Sequence, residues 1–254
     1  MLNKNNMNHL LLLIIFISNV YSITGLDIVS QMEDKSKPID IKAELNMELI
    51  NKNGKIRNSK LKSITTDGGK KQMIWFLSPP DDKGVSFLKI EHKNKNDEMR
   101  LWLPAFKKIR RISSKKSSDS FMGSDLSYED MTNRDIENYS FTLVGEDSIN
   151  TQDCWILKIQ PKHNINTEYS RHVSWISKNN LVLLKEESFD KSGKLYKQKI
   201  IDYIKIKEYY IPKKILVKNI QNNHMTILYF NDIEIDIGIQ DYLFQEKYLK
   251  RIPN

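Results

Sequence analysis

From Ile39 to Leu49 the apolar residues Ile39, Ile41, Ala43, Leu45, Met47 and Leu49 take every second position, with mostly polar residues between them. Successive side chains of a strand point to opposite faces, so this alternation predicts a strand with one dry and one wet face. Strand-like runs follow over 57–66, 70–78, 83–91, 97–103, 106–112, 138–149, 152–160, 169–177, 181–189, 194–204, 209–218 and 225–237. Their spacing is that of an antiparallel meander, and the roughly 30-residue βαβ rhythm of a parallel sheet does not occur.

The residues between the runs are turn formers. Asn51-Lys52-Asn53-Gly54-Lys55 and Asp190-Lys191-Ser192-Gly193-Lys194 are near-copies of one loop, and Asp67-Gly68-Gly69 offers two residues that accept positive φ. Two segments read as helical. Thr24 to Lys37 places Leu26, Val29 and Met32 at helical spacing and stops at Pro38, and Ser118 to Arg134 carries Phe121, Met122, Leu126, Tyr128 and Met131 with Ser124 as a plausible N-cap. Without a Gly-, Pro- or Ser-rich linker, residues 23–254 are expected to form one domain. Many antiparallel strands and few helices predict a mainly β protein: a barrel, a half-barrel or a sandwich. The four tryptophans, Trp75, Trp102, Trp155 and Trp175, all fall in strands and could fill a core or line a cavity.

The N-terminus changes the setting. Lys4 precedes an apolar run from Leu10 to Val20, and Val20-Tyr21-Ser22 has the small residues a signal peptidase reads. The run is shorter than the roughly 20 residues of a spanning helix, so export with cleavage after Ser22 is expected. The formal charge is +8, from 40 basic and 32 acidic residues. In an exported protein that balance suits anionic lipid, glycan or an acidic partner before nucleic acid. The single cysteine, Cys154, lies in an apolar strand and reads as a core residue.

Catalytic and metal signatures do not emerge. There is no Gly-x-Ser-x-Gly elbow, and Ser124 beside Asp125 has no histidine placed in sequence to act as its base. His92, His163, His172 and His224 lack metal-ligand spacing, so neither metal nor cofactor is expected. Carboxylate neighbours such as Glu129-Asp130 and Glu186-Glu187 would need partners from other strands to do chemistry. The basic run Lys107, Lys108, Arg110, Arg111, Lys115 and Lys116 reads either as a solvated edge that blocks strand pairing or as a positive rim beside an apolar cavity.

Three segments carry a family likeness: Met99-Arg100-Leu101-Trp102-Leu103-Pro104-Ala105, Lys108-Ile109-Arg110-Arg111-Ile112, and Phe121-Met122-Gly123-Ser124-Asp125-Leu126-Ser127-Tyr128-Glu129-Asp130-Met131. Ile237 to Phe244 adds a closing pattern. From about Asp40 onward the chain resembles the outer-membrane lipoprotein-sorting protein family, the LolA-like periplasmic carriers. The resemblance implies a curved, unclosed antiparallel half-barrel with helices over its concave side, an apolar groove for acyl chains and no catalytic residues. It implies a monomeric periplasmic carrier that takes a lipid or lipoprotein from an inner-membrane transporter, with an outer-membrane acceptor as the further partner. Trp75, Trp102, Phe106, Phe121, Met122 and Met131 are the expected groove or lid residues. Arg100, Arg110 and Arg111 are the expected headgroup or partner contacts, Arg100 being also the nearest candidate for the strand arginine that holds the cover in such carriers. A lipid sensor or transporter accessory with the same fold, and a hydrolase assembled by the fold, are the alternatives.

Overall fold

The computed structural model describes residues 22–252 except Asn94 and Asn164. The expected export signal therefore lies outside the described residues, apart from Ser22. The described residues form thirteen strands: β1 (Asp40–Ile50), β2 (Ile56–Thr66), β3 (Lys71–Ser78), β4 (Ser86–Ile90), β5 (Glu98–Leu103), β6 (Lys108–Ile112), β7 (Tyr139–Ile149), β8 (Gln152–Pro161), β9 (Tyr169–Ser177), β10 (Leu183–Asp190), β11 (Leu195–Ile206), β12 (Tyr209–Asn219) and β13 (His224–Ile235). Each coincides with an expected run to within a few residues.

All thirteen form one antiparallel sheet in the order β6-β5-β4-β3-β2-β1-β13-β12-β11-β10-β9-β8-β7. Two hairpin meanders, β1 to β6 and β7 to β13, are joined where the first strand pairs with the last. Leu45 lies opposite Phe230 and Met47 opposite Leu228. The edges β6 and β7 do not pair with each other, so the sheet is an open half-barrel. The near-copied loops have the same geometry. Asn51 Oδ1 accepts from the Asn53 and Lys55 amides, Asp190 Oδ1 accepts from those of Ser192 and Lys194, and Gly54 and Gly193 sit at φ 77° and 80°.

With β6 and β7 at opposite edges, the chain between them must cross the sheet. Residues 113–138 do so as an irregular strap, over what is here called the inner face. Under the strap, Ala43, Leu45, Met47, Leu49, Leu61, Ile74, Phe76, Phe87, Met99 and Leu101 make one apolar cluster, completed by Phe121 and Tyr128 of the strap. The Phe121 ring meets Phe87 edge-on at 5.2 Å and Tyr128 at 5.9 Å, geometries that aromatic quadrupoles favour.

The expected helix over Ser118–Arg134 is not there. Only Glu129–Met131 forms a 3-10 turn, and Ser120 and Ser127 make an isolated antiparallel bridge. Met122 and Gly123 take φ of 51° and 78°, outside helical space, and the serine and aspartate side chains bond nearby backbone instead of leaving it to a helix. Ser124 is not an N-cap: its hydroxyl lies 3.3 Å from both the carbonyl and the amide of Leu126.

One α-helix, α1 (Gly25–Glu33), covers the β7–β9 end of the inner face. It starts at Thr24 with a reciprocal capping box to Asp27. It ends earlier than Lys37, because Met32 is its last apolar contact. Ile28, Val29 and Met32 pack with Leu157, Ile159 and Ile176, whereas Leu26 is exposed. Gly25 permits this docking, since a Cβ there would stand 2.7 Å from the Phe141 carbonyl oxygen.

The outer face of β2–β6 is covered by the C-terminal segment 236–252. Phe244 and Leu249 pack on Ile64, Met73, Trp75 and Leu88. Among the described residues, no helix is long and apolar enough to cross a membrane.

Candidate functional site: the inner face and its strap

The inner face has two unlike halves. Beneath β1–β6 it is apolar. Across β9–β13 the inward positions include, beside apolar residues such as Val217 and Leu228, the polar His172, Ser174, Glu186, Ser188, Lys197, Lys199, Asn219 and Thr226, all but Lys199 buried. Buried charge is costly unless paired and hydrogen-bonded, and here the strap supplies the partners.

Arg134 makes a two-pronged contact with Glu186, Nη1 to Oε2 at 2.6 Å and Nη2 to Oε1 at 2.8 Å. Lys199 stands 3.0 Å from the same carboxylate, and the Ser174 hydroxyl donates to it at 2.9 Å. Burial opposes the Glu186 charge, but Arg134 and Lys199 hold its pKa well below the usual carboxylate range. Arg134, which is only partly buried, likewise stays charged, through Glu186. The guanidinium can only donate, so His172 Nδ1, 3.3 Å from Nη2, must accept. His172 is therefore neutral with its proton on Nε2, which has no partner among the described residues. Burial, followed by the neighbouring Arg134 charge, lowers its pKa to about 3.

A second group lies beside it. Lys197 Nζ reaches Asp130 at 2.9 Å, the Tyr169 hydroxyl at 2.8 Å and Glu168 at 3.3 Å, while Tyr169 donates to Asp130 at 2.7 Å. Burial disfavours both charges, yet Lys197 holds Asp130 low and Asp130 holds Lys197 high. Glu129 accepts from the Thr167 hydroxyl and from the Glu168 amide. Further along, Asp125 Oδ2 takes His224 Nδ1 and the Thr226 hydroxyl, each at 2.7 Å. The strap is thus fastened through Asp125, Glu129, Asp130 and Arg134 to β13, the β8–β9 connection, β11 and β10. Beside Asp125 lies a cavity of about 430 Å³, whose lining residues are mostly polar and include Ser124 and His224. The Ser124 hydroxyl is engaged with Leu126, as described above.

The residues expected in the groove fall in three places. Phe121, Met122 and Met131 are on the strap against the inner apolar face. Trp75 and Trp102 are on the outer face under the C-terminal segment. Phe106 is 70% exposed in the Pro104–Phe106 turn. Arg100 also faces outward, with Nε 3.2 Å from Glu246, so it holds the outer cover. Arg110 lies 3.6 Å from Asp119, and Arg111 is exposed on the edge strand β6. Cys154 is fully buried. Among the described residues no His, Cys, Asp and Glu cluster could hold a metal.

Glu129, Asp130 and Glu186 stood out in the sequence as carboxylates in need of partners from other strands, but the partners Arg134, Lys197 and Lys199 were missed, although one signal pointed to the strand residues among them. Glu186, Lys197 and Lys199 occupy the inward phase of their strands, where apolar residues are the rule.

An open antiparallel sheet with its inner face closed by other parts of the chain is the architecture of the LolA-like half-barrels, and a LolA superfamily protein from Nitrosomonas europaea superposes with a TM-score of 0.70 at 16% identity, over 89% of this chain and all of that one. A structure from Vibrio parahaemolyticus, provisionally described as an outer membrane lipoprotein-sorting protein domain, is 31% identical, with a TM-score of 0.82 over 89% of this chain and 98% of that one. A DUF1329 family protein from Desulfovibrio piger is 30% identical, with a TM-score of 0.83 over 89% and 97%. A family model described only as an uncharacterized protein matches residues 68–251. No curated protein matches the sequence. The chain belongs to the outer-membrane lipoprotein-sorting protein family.

Proposed function

We propose that the protein is a non-enzymatic periplasmic carrier that holds acyl chains of a lipid or lipoprotein against the inner apolar face, with the 113–138 strap as its movable cover. One observation carries this reading: the apolar half of the inner face is closed by a segment with no regular structure beyond short 3-10 turns and one isolated bridge, which inserts Phe121 and Tyr128 and is fastened elsewhere by side-chain clasps. A second sheet layer would be a permanent core, whereas such a strap can lift without unfolding a strand.

The magnitudes are compatible. Breaking a buried clasp costs about 3–5 kcal/mol, so opening both costs roughly 6–10 kcal/mol. An acyl chain of about a dozen methylenes hidden from water offers on the order of 10 kcal/mol. The description of the Vibrio relative as an outer membrane lipoprotein-sorting domain supports an outer-membrane receiver, and the donor would be an inner-membrane lipid exporter. A sensor that carries no cargo is the second reading, favoured by the fact that the chain's own Phe121 and Tyr128 fill the inner face.

Native mass spectrometry of the protein from the periplasm, followed by organic extraction, tests the proposal. The carrier reading expects a stoichiometric lipid or lipopeptide, and faster uptake from labelled vesicles by Phe121→Ala. A clean apo mass, with no uptake by either form, would remove the carrier reading and leave the sensor.

A further inference from the structure

The polar cavity beside Asp125 shares Asp125, His224 and Lys197 with the strap's fastenings, but its wall also carries side chains that take no part in them. It lies where Gly123–Ser127 meets the β1–β2 loop and the ends of β11, β12 and β13. At about 430 Å³ it is within the range of small-ligand sites, roughly 300–1,000 Å³. We propose that it receives the phosphate ester of a lipid headgroup whose acyl chains run inward along β1; the assignment rests on the carrier reading.

The lining carries donors that no described group engages and a single carboxylate. The Lys52 ammonium, the Ser118 hydroxyl and the Asn222 side-chain amide make no hydrogen bond to a described residue, while His224 donates from Nδ1 to Asp125, so that Nε2 of its neutral ring is an acceptor that a phosphate reaches through the proton of a monoester. The one carboxylate in the wall, Asp125, is buried, and its Oδ2 is taken by His224 and Thr226. Such a set matches the oxygens of a phosphate, which accept from both ammonium and neutral donors.

The neighbourhood also fits an amphiphile. Leu126 lines the cavity, and Leu49, the last inward apolar residue of β1, has its Cδ1 3.9 Å from the place of a Cβ on Gly123. Leu49 belongs to the apolar cluster under the strap. A headgroup in the cavity would therefore stand at the mouth of the acyl path. Gly123, at φ 78°, keeps that wall free of a side chain.

The test uses the mature protein and two variants, Lys52→Gln in an exposed loop and Asn222→Ala. Uptake from phosphatidylglycerol vesicles is compared with uptake of uncharged diacylglycerol, and the His224 ring resonances are followed by NMR during titration with glycerol phosphate and with inorganic phosphate. The proposal expects about a tenfold loss of phosphatidylglycerol retention in each variant, a charge-assisted hydrogen bond's worth. It expects unchanged diacylglycerol uptake and a His224 shift with glycerol phosphate that Lys52→Gln abolishes. Lipid loading with no headgroup preference and no variant effect would overturn the cavity assignment and leave the carrier standing. A His224 response without any lipid loading would keep a phosphate-ester site and remove the carrier. Tighter binding of inorganic phosphate than of glycerol phosphate would overturn the lipid source.

Discussion

Both faces of the sheet are covered by irregular segments of the same chain, and the two covers are fastened in opposite ways. The inner strap adds buried, directional clasps to its apolar contacts, with Arg134 on Glu186 and Asp130 on Lys197. The C-terminal cover is anchored at its start, where the buried Asp40 carboxylate accepts from the amides of Ile237, Gly238 and Ile239 at 2.9 Å each. Beyond that it has a buried hydrogen bond, from the Ser86 hydroxyl to the Leu249 carbonyl, and otherwise lies on apolar contacts from Phe244 and Leu249, with ion pairs at its rim: Lys71 with Asp241 and Arg100 with Glu246. Apolar contact weakens gradually as a segment shifts. A two-pronged ion pair in a buried site is either made or broken. The inner cover is therefore built for two states, and the outer cover for one that frays.

The largest effect expected is on the inner clasp. Arg134→Leu leaves Glu186 buried with Lys199 and Ser174 as its remaining partners, and should lower stability by about 3 kcal/mol, the low end for a broken buried pair. The double variant Arg134→Leu, Glu186→Leu should lose less than Arg134→Leu alone, because no carboxylate is then stranded. Urea unfolding measures both, and hydrogen exchange should show the protection loss centred on 113–138. A single-variant loss no greater than that of a surface pair would mean that the clasp does not hold the strap.

The clasp also marks where the sequence stopped being informative. Alternation from Ile39 to Leu49, and its repeats, placed all thirteen strands, because the period-two rule is local and each hairpin loop carries its own turn chemistry. The two copied loops at Asn51 and Asp190 even share hydrogen bonds. The strap was misread, since Phe121, Met122, Tyr128 and Met131 are spaced as on a helix while Met122-Gly123 turns left-handed. The site depends on contacts between distant positions: Arg134 and Glu186 are 52 residues apart, Lys197 and Asp130 are 67. No local pattern encodes that pairing. Nor does local alternation tell which face of the sheet is inner, so Trp75 and Trp102 joined Phe121 in one expected list although the sheet separates them.

The next effect is a dependence on pH. His172 is neutral when folded, with its pKa lowered to about 3 against an ordinary 6.5. Between these values the unfolded chain binds a proton that the folded chain refuses, so stability falls as pH drops from about 6.5, by up to about 1.4 kcal/mol per pH unit. Glu186, held well below the usual carboxylate range, adds a loss of the same sign below its ordinary 4.5. Between pH 6.5 and 4.5 the slope should come mainly from the histidine among the clasp residues. His172→Gln should flatten stability over that window and leave the steep fall below it. A slope that persists unchanged would place the acid sensitivity elsewhere.

Within the second clasp the expected effect is smaller. Tyr169→Phe removes a hydroxyl that donates to Asp130 and accepts from Lys197, but leaves those two in direct contact. A loss of about 1–2 kcal/mol is expected, with strap exchange raised less than in Arg134→Leu. A loss equal to that of Arg134→Leu would show that the two clasps open as one unit.

The outer cover should give the smallest global effect and the clearest contrast. Glu246 is half exposed, and Arg100 also lies near Glu98, so the pair is in screened surroundings. Arg100→Ala should cost about 0–1 kcal/mol, less as salt is added. Hydrogen exchange over 241–249 should nonetheless quicken, because that segment has only short 3-10 turns and Phe244 and Leu249 alone as fully seated side chains. The strap should keep its protection, since the sheet lies between the two covers and no described residue of the C-terminal segment bonds to 113–138. If strap exchange rises together with tail exchange in Arg100→Ala, the covers are coupled through the strands, and Arg100 would then bear on the inner face from the opposite side of the sheet, through β5, whose Met99 and Leu101 pack in the cluster beneath Phe121.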